Sequence, residues 1–564
     1  MQYQQMYRHW LDVFQNDPAV MAELTAIAGD EKEIEDRFYT ELSFGTAGMR
    51  GVLGAGANRM NQYVVRRATQ GLADFIHKAG MAPMGVAIGY DSRRMSPEFA
   101  LDTALTLCAN GIHAYLFDAL RPVALLSFAV RHLGAAAGVV ITASHNPKQY
   151  NGYKVYWQDG GQLPPERADA VQKAIRALDF APMTPMNRQE ALDRGLLTYI
   201  GSEIDEAYYD MVLQLRIQPE LGRRYGDTLK IVYTPLNGSG AVPVTQTLAR
   251  AGFSDVSTVP EQTAPDPDFT TVGVPNPENK DAFALALRLA DQKGADLVFA
   301  TDPDCDRVGV AVNTGETYLL LTGNQIGCLL THYIIEGLSE AGRLPKNGAI
   351  VKSIVSTDLA RIIAESFGVA SFDVLTGFKF IGEKIQQFLD TGSHTFLLGF
   401  EESFGYLSGC DVRDKDGVNA ALLLAECALW HKRQGRTLYQ GLCALYDRFG
   451  WGAEAVSSFV CTGADGAAQM ARAMQRLRAE TPADFGGKPV TRVRDYLNGW
   501  DGLPASNVLY YELGGGSWVC VRPSGTEPKI KLYVNVIAPT QEDSLRLLEQ
   551  VRQGAGEMMQ AALA

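Results

Sequence analysis

The chain of 564 residues contains no apolar run as long as the roughly 18 residues a membrane-spanning helix needs. Its first stretch, Met1 to Phe14, mixes Gln, Arg, His and Asp with aromatics. It has no continuous apolar segment and does not read as a secretory signal. The eight cysteines are scattered and no CxxC occurs, so neither a zinc knuckle nor a disulfide framework is indicated. The expectation is a reduced, cytoplasmic enzyme. Nucleotide signatures are also missing. There is no G-x-x-x-x-G-K-[ST], no G-x-G-x-x-G after a strand, and no G-x-S-x-G, which argues against P-loop nucleotidases, dinucleotide sites and α/β serine hydrolases. Positive charge is in deficit, with a formal net charge of −13, which argues against nucleic acid and an anionic membrane surface as partners. An anionic substrate would have to be drawn by local cationic loops. Screening over about 8 Å at physiological salt allows such loops to prevail over a distant acidic surface.

What is present is ordinary globular composition, 46% hydrophobic and 20% charged. The length predicts about four domains of roughly 150 residues. Residues 1 to about 40 read as amphipathic helices that pack on the first domain. Further on, apolar strands repeatedly stop at polar loops: Val86–Tyr90 at Asp91-Ser92-Arg93-Arg94, Ala135–Ile141 at Thr142-Ala143-Ser144, and Leu229–Tyr233 at Thr234-Pro235-Leu236-Asn237. Ala295–Ala300, Ala349–Val355 and Thr395–Leu398 repeat the plan, with apolar helical runs such as Ala282–Leu289 and Leu359–Phe367 between them. The pattern predicts an α/β protein of three consecutive similar α/β domains with mixed sheets. A C-terminal α+β domain completes the chain, with a hairpin of Trp518–Val521 and Ile530–Ile537, a helix over Met470–Leu477 and a final helix over Gln541–Met559. Gly- and Pro-containing stretches place the boundaries at 1–220, 221–340, 341–460 and 461–564.

Five loops carry chemistry. Ser144 stands just past a strand end, where open α/β sheets place reacting groups. Pro147 and Gly152 shape the loop Ser144-His145-Asn146-Pro147, and Lys154 returns on the next extended stretch. A hydroxyl and an ammonium in a shaped loop suit phosphoryl transfer; a Ser/Asn/Pro turn with Ser144 as a helix cap fits the same residues. Asp302, Asp304 and Asp306 alternate, so an extended loop would point them the same way. Carboxylates about 4 Å apart repel by roughly 4 kcal/mol per pair at an effective dielectric of 20, and three together ask for a hard cation, favouring Mg²⁺. An EF-hand fails, because Arg307 and Asn313 stand where Gly and Glu are needed. Cys305 is expected to point away. Glu401, Glu402 and Ser403 follow a buried strand and suit sugar hydroxyls, although such a run alone also fits a helix start. Arg522-Pro523-Ser524-Gly525-Thr526-Glu527-Pro528-Lys529 offers the inventory of an anion cradle. Near the N-terminus, Phe44-Gly45-Thr46-Ala47-Gly48-Met49-Arg50-Gly51 sets three glycines around one arginine, suited to close approach of an anion.

These loops, in their order along the chain and spread from about 44 to 533, resemble those of the α-D-phosphohexomutases, the phosphoglucomutase and phosphomannomutase superfamily. The resemblance implies four domains around a central cleft. It implies Ser144 as the phosphoryl-bearing residue, with Lys154, Arg50 and His145 beside it, and Mg²⁺ on Ser144, Asp302, Asp304 and Asp306. It further implies substrate contacts at Arg307, Thr376, Gly377, Lys379, Glu401 and Ser403, and a phosphate site at Arg522, Ser524, Gly525, Thr526 and Lys529. The activity implied is interconversion of glucose 1-phosphate and glucose 6-phosphate, with glucose 1,6-bisphosphate as intermediate and activator. Mannose and pentose phosphates, or glucose 1,6-bisphosphate synthesis, are alternatives inside the family. A Mg²⁺-dependent sugar phosphatase and a non-enzymatic scaffold are the rivals outside it. The chain departs from the family at Asn237 and Ser239, where His and Thr are common. The partners implied are phosphosugars, with oligomeric state open between monomer and dimer.

Overall fold

A computed structural model describes residues 2–43, 48–461, 466–524 and 529–564. The chain divides into two compact units. One comprises residues 2–321, Phe378–Thr391 and Ser403–Trp430; the other comprises Thr322–Gly377, Gly392–Glu402 and His431–Ala564.

The first unit opens with helices Gln2–Val13, Pro18–Ala26 and Glu31–Phe38. Asp17 and Asp30 cap the second and third by accepting backbone N–H groups. Trp10 is fully buried among Phe14, Phe38, Tyr63 and Phe180, which fastens these helices to the adjacent sheet domain, as the amphipathic pattern predicts.

That domain is a mixed six-stranded sheet, in the order Met49–Val52, Tyr150–Trp157, Ala137–Ile141, Val86–Tyr90, Ala114–Phe117, Leu197–Ile200. The last four run parallel, and Tyr150–Trp157 returns antiparallel beside Ala137–Ile141. Ala137–Ile141 is buried on both faces, which is why it reads as a continuous apolar run. Its hairpin register sets Lys154 opposite Val140.

The next sheet repeats the plan. Leu297–Thr301 lies parallel to Ile231–Thr234, and Val308–Asn313 returns antiparallel beside it. In both sheets a buried strand ends in a chemical loop and the chain doubles back on its neighbour.

In the second unit, Gly348–Ser353 lies between the parallel strands Ala370–Val374 and Thr395–Glu401. Helix Gly323–Glu340, assigned by the sequence to the preceding domain, packs here against helix Asp358–Ser366 and strand Thr395–Glu401. It is apolar over most of its surface and therefore buried, and the stretch with Gly342 and Pro345 that follows it is a turn inside this domain, not a boundary.

The C-terminal sheet is larger than the expected hairpin. It has five antiparallel strands, in the order Trp451–Val460, Lys529–Ala538, Ser517–Pro523, Leu509–Gly514, Arg492–Asp495. Helices Gly466–Ala479 and Gln541–Leu563 bury Ala473, Met474, Leu477, Val551, Ala555 and Met559 against it. Among the described residues, no helix is long and apolar enough to cross a membrane. All eight cysteines are free.

Candidate active site

Two strand ends build the centre of the first unit. After Ala137–Ile141 the chain turns at Ser144, whose φ of 53° is left-handed, a conformation that costs a non-glycine residue roughly 1–3 kcal/mol. Thr142 Oγ1 offsets part of that cost by accepting the Ser144 N–H at 2.8 Å. The Ser144 hydroxyl is thereby aimed across the domain boundary and donates to Asp302 Oδ2 at 2.8 Å, with His145 Nδ1 at 3.1 Å.

Arg93 fixes the loop. Its buried guanidinium donates to the carbonyls of Ser144 and Asn146, each at 2.5 Å, and to those of Pro147 and Tyr150 at 3.0 and 3.1 Å. Asp91 supplies the countercharge at 3.3 Å and accepts from Thr142 Oγ1 and Ser96 Oγ. The ring of Phe269 lies 5.1 Å from the Arg93 guanidinium.

Asp302, Asp304 and Asp306 are buried, and their ligand oxygens lie within 4.8 Å of one another. The expected reason for this convergence does not hold. Residues 302–306 form a turn, not an extended run, and Cys305 takes a left-handed φ of 51°. The turn folds back so that Asp302 Oδ1 accepts the N–H groups of both Asp306 and Arg307. Ser239 steadies it, donating Oγ and N to the Pro303 carbonyl, each at 2.8 Å. Asn237, the other departure from the family pattern, donates to the Ala264 carbonyl at 2.8 Å and not to the aspartate turn. Cys305 does point away, towards Thr301 and Gly240.

Charge at the turn is divided. Burial and the two neighbouring carboxylates push Asp302 well above the usual carboxylate range. Burial acts on Asp306 too, but Lys415, Lys154 and Arg307 overcome it and hold that carboxyl low. Lys154 Nζ donates to Asp304 Oδ2 at 2.8 Å and lies 3.4 Å from Asp306 Oδ2. Arg50, on the strand paired with Gly152, reaches Asn146 Oδ1 at 3.2 Å. Gly48 has φ +83°, and a Cβ there would come within 2.6 Å of the Tyr153 carbonyl and 2.9 Å of Lys154 Cα, which explains a glycine where the first loop meets the lysine strand. Residues 44–47 of that loop lie outside the described residues. Arg307 pairs with Glu278 at 2.5 Å and with Asp306 at 3.8 Å.

These carboxylates fit a divalent cation. Asp304 Oδ1 and Asp306 Oδ1 are buried and accept no hydrogen bond among the described residues. An all-oxygen set of that kind suits Mg²⁺.

Of the remaining sequence candidates, Lys379 is buried on helix Phe378–Thr391 of the first unit, where burial lowers its ammonium and Glu383 and Asp169 offset part of that effect. Ser403 opens the segment in which the chain re-enters that unit. In the second unit, the Gly377 N–H donates to Glu401 Oε1 at 2.7 Å. Thr376 Oγ1 beside it is buried without a hydrogen-bond partner among the described residues. Ser353 Oγ donates to Glu402 Oε2 at 3.1 Å, and Arg522 lies within electrostatic reach of Glu402. Arg522 Nη1 is 3.5 Å from Tyr533 Oη, and the Ser524 N–H donates to the Lys529 carbonyl at 2.8 Å. Gly525 and Thr526 lie outside the described residues.

Several groups escaped the sequence reading: Asp91 and Arg93, and the run Asp414-Lys415-Asp416. The first pair did sit at a strand end, which was the available signal. The second is a charged triplet immediately before a buried apolar helix, Gly417–Arg433, whose first turn Asp416 caps by accepting the N–H groups of Val418 and Asn419.

Four family models match the chain in succession: phosphoglucomutase/phosphomannomutase α/β/α domain I over residues 41–182, domain II over 206–315, domain III over 322–449, and the C-terminal domain over 471–553. Fold and site together define an isomerase of the phosphohexomutase class. A phosphoglucomutase of Staphylococcus haemolyticus is 36% identical over 515 residues, covering 89% of this chain and 91% of the relative. One from Staphylococcus epidermidis is 36% identical over 543 residues, covering 94% and 96%. The chain belongs to the phosphoglucomutase/phosphomannomutase family. Among solved structures, parafusin of Paramecium, a phosphoglucomutase, superposes with a TM-score of 0.72 at 18% identity, over 93% of this chain and 96% of that one. A phosphomannomutase-like protein of Thermus thermophilus gives 0.68 at 24%, over 92% and 99%. These two likenesses speak to the fold.

Proposed function

We propose that this enzyme interconverts glucose 1-phosphate and glucose 6-phosphate, with Ser144 as the phosphoryl carrier. The observation that carries the reading is the Ser144 hydroxyl held at 2.8 Å from the buried aspartate cluster. The names of the staphylococcal relatives support glucose as the sugar.

In this reading Ser144 Oγ bears a phosphoryl group in the resting enzyme. A hydroxyl of the bound sugar phosphate attacks phosphorus, the Oγ–P bond breaks as the new O–P bond forms, and the hydroxyl proton ends on Oγ. The resulting bisphosphate gives its other phosphoryl to Ser144 in the reverse sense, so atoms and protons balance over the cycle. Asp302, Asp304 and Asp306 would hold Mg²⁺ with an oxygen at Ser144. When bound there, Mg²⁺ offsets the charge of the transferring group. Lys154 and Arg50 supply fixed positive charge beside the reacting oxygens. Glu401 and Ser403 would accept and donate hydrogen bonds to sugar hydroxyls. Thr376, Gly377 and Lys379 would line that subsite, and Arg307 would meet phosphate or order the aspartate turn. Arg522, Ser524, Gly525, Thr526 and Lys529 would hold the phosphate that is not reacting. Free glucose 1,6-bisphosphate would prime an unphosphorylated enzyme, and a cytoplasmic setting would suit eight free thiols.

Side-by-side turnover of glucose, mannose, ribose and glucosamine 1-phosphates tests the assignment. Glucose 6-phosphate formed fastest, without inorganic phosphate and abolished by a chelator, is the expected result. Phosphate release in step with substrate loss would make the enzyme a phosphatase instead.

A further inference from the structure

Asp414 sits where strand Tyr150–Trp157 meets the segment that precedes helix Gly417–Arg433, and it is 1% exposed. One of its oxygens, Oδ2, accepts from Tyr156 Oη at 2.8 Å and from Gln162 Nε2 at 2.7 Å. The other, Oδ1, accepts the Lys415 backbone N–H at 2.8 Å and Lys415 Nζ at 2.9 Å. All four contacts fall on one carboxylate, and three of them come from neutral donors that fix its plane. The Lys415 ammonium then reaches Asp306 Oδ2 at 3.1 Å, with the Phe378 ring 5.4 Å away. A lysine stem has four rotatable carbons and would not hold one direction unaided. Here its head is tethered between two carboxylates.

Charge gives the arrangement its meaning. Lys154 already serves Asp304 and Asp306. If Lys415 were not shared with Asp414, its full charge would fall on Asp306, and an ammonium bonded there competes with a divalent cation for the same oxygen.

We infer that Asp414 is a positioning residue acting through Lys415: it aims the ammonium at the Asp306 side of the site and takes up part of its charge, leaving Asp306 free to ligate a cation. The inference rests on the reading of the aspartates as a Mg²⁺ site, and deepens it.

The test is Mg²⁺ calorimetry alongside kcat and KM for Asp414→Asn, Lys415→Ala and the double variant. Asp414→Asn is expected to weaken Mg²⁺ binding by about tenfold or more, because it leaves a positive charge uncompensated beside the cation. It is also expected to lower kcat about tenfold or more with little change in KM, because a misaimed charge loses its effect on the reacting group. In the Lys415→Ala background the same change should alter kcat less than about twofold, since Asp414 then has nothing to aim. A purely structural role would cost as much in either background. Should Asp414→Asn not fold, Tyr156→Phe carries the test, with about a threefold loss of kcat that vanishes when Lys415 is absent. Unchanged Mg²⁺ affinity in Asp414→Asn, or equal losses of kcat in both backgrounds, overturns the inference. Absence of mutase turnover in the parent enzyme would instead reject the proposed function, while the calorimetry would still decide the role of Asp414.

Discussion

Ser144 and Asp302 stand 158 residues apart in sequence and share a 2.8 Å hydrogen bond in the interior of the first unit. Each lies at the carboxyl end of a buried strand in a different sheet. Because both strands end in turns with a left-handed residue, at Ser144 and Cys305, the two side chains face one another.

The first prediction concerns the grip on the serine loop. Arg93→Met takes the guanidinium donor from four backbone carbonyls and the countercharge from the Asp91 carboxylate. Loss of one partner of a buried ion pair costs about 3–5 kcal/mol. The variant should unfold at clearly lower denaturant, and its kcat should fall about 10²-fold as Ser144 loses its position.

The aspartate cluster predicts a metal-linked gain in stability. A Mg²⁺ ion held by these aspartates would bind the folded protein alone and should raise the melting temperature in proportion to the logarithm of its concentration. Asp304→Asn removes a repulsive charge but also the carboxylate paired with buried Lys154, and its melting temperature should respond weakly to added Mg²⁺. A response equal to the parent's would exclude Asp304 as a ligand.

Gly377 predicts a binding defect. Its φ of +121° lies where side chains are strained, and its N–H orients Glu401. Gly377→Ala should raise KM for the sugar phosphate about tenfold, corresponding to roughly 1.4 kcal/mol of strain or misorientation. Its effect on kcat should be smaller.

Glu402 and Glu454 predict a pH dependence. Burial, with Glu401 beside it, pushes Glu402 up to about 7. Burial, with Glu402 beside it, does the same to Glu454. Both keep their protons in the folded state at pH values where the unfolded chain has lost them. Stability from this source is complete below about 4.5 and is lost as pH rises to about 7, by at most about 3 kcal/mol per group. Melting temperatures across that range should fall less steeply in Glu402→Gln than in the parent. An unchanged slope would show that Glu402 does not titrate there.

How far the sequence could be read depends on what each feature rests on. Strand ends such as Ile141 and, to within one residue, Thr301 were legible, because burial on both faces writes a continuous apolar run that stops where the polar loop begins; the strand expected to stop at Leu398 instead runs on through Glu401. The aspartates were found for a mistaken reason. Alternation suggested an extended segment, whereas a turn with a strained Cys305 brings them together, and cysteine carries no turn signal. The boundary near 340 cut behind helix Gly323–Glu340, since a helix buried all round gives no amphipathic stripe to show which neighbour it packs against. Arg93 and Asp414 were missed because their partners are far away in sequence: Ser144 lies 51 residues on, and Tyr156 lies 258 residues back. Local pattern does not register such pairings.

The most direct measurement is intact-mass and peptide mapping of the enzyme incubated with glucose 1,6-bisphosphate, for the parent and Ser144→Ala. The account predicts a single phosphoryl group on the peptide containing Ser144 of the parent, its disappearance in the variant, and loss of mutase turnover with it. A phosphoryl group on another residue, or full turnover by Ser144→Ala, would contradict it.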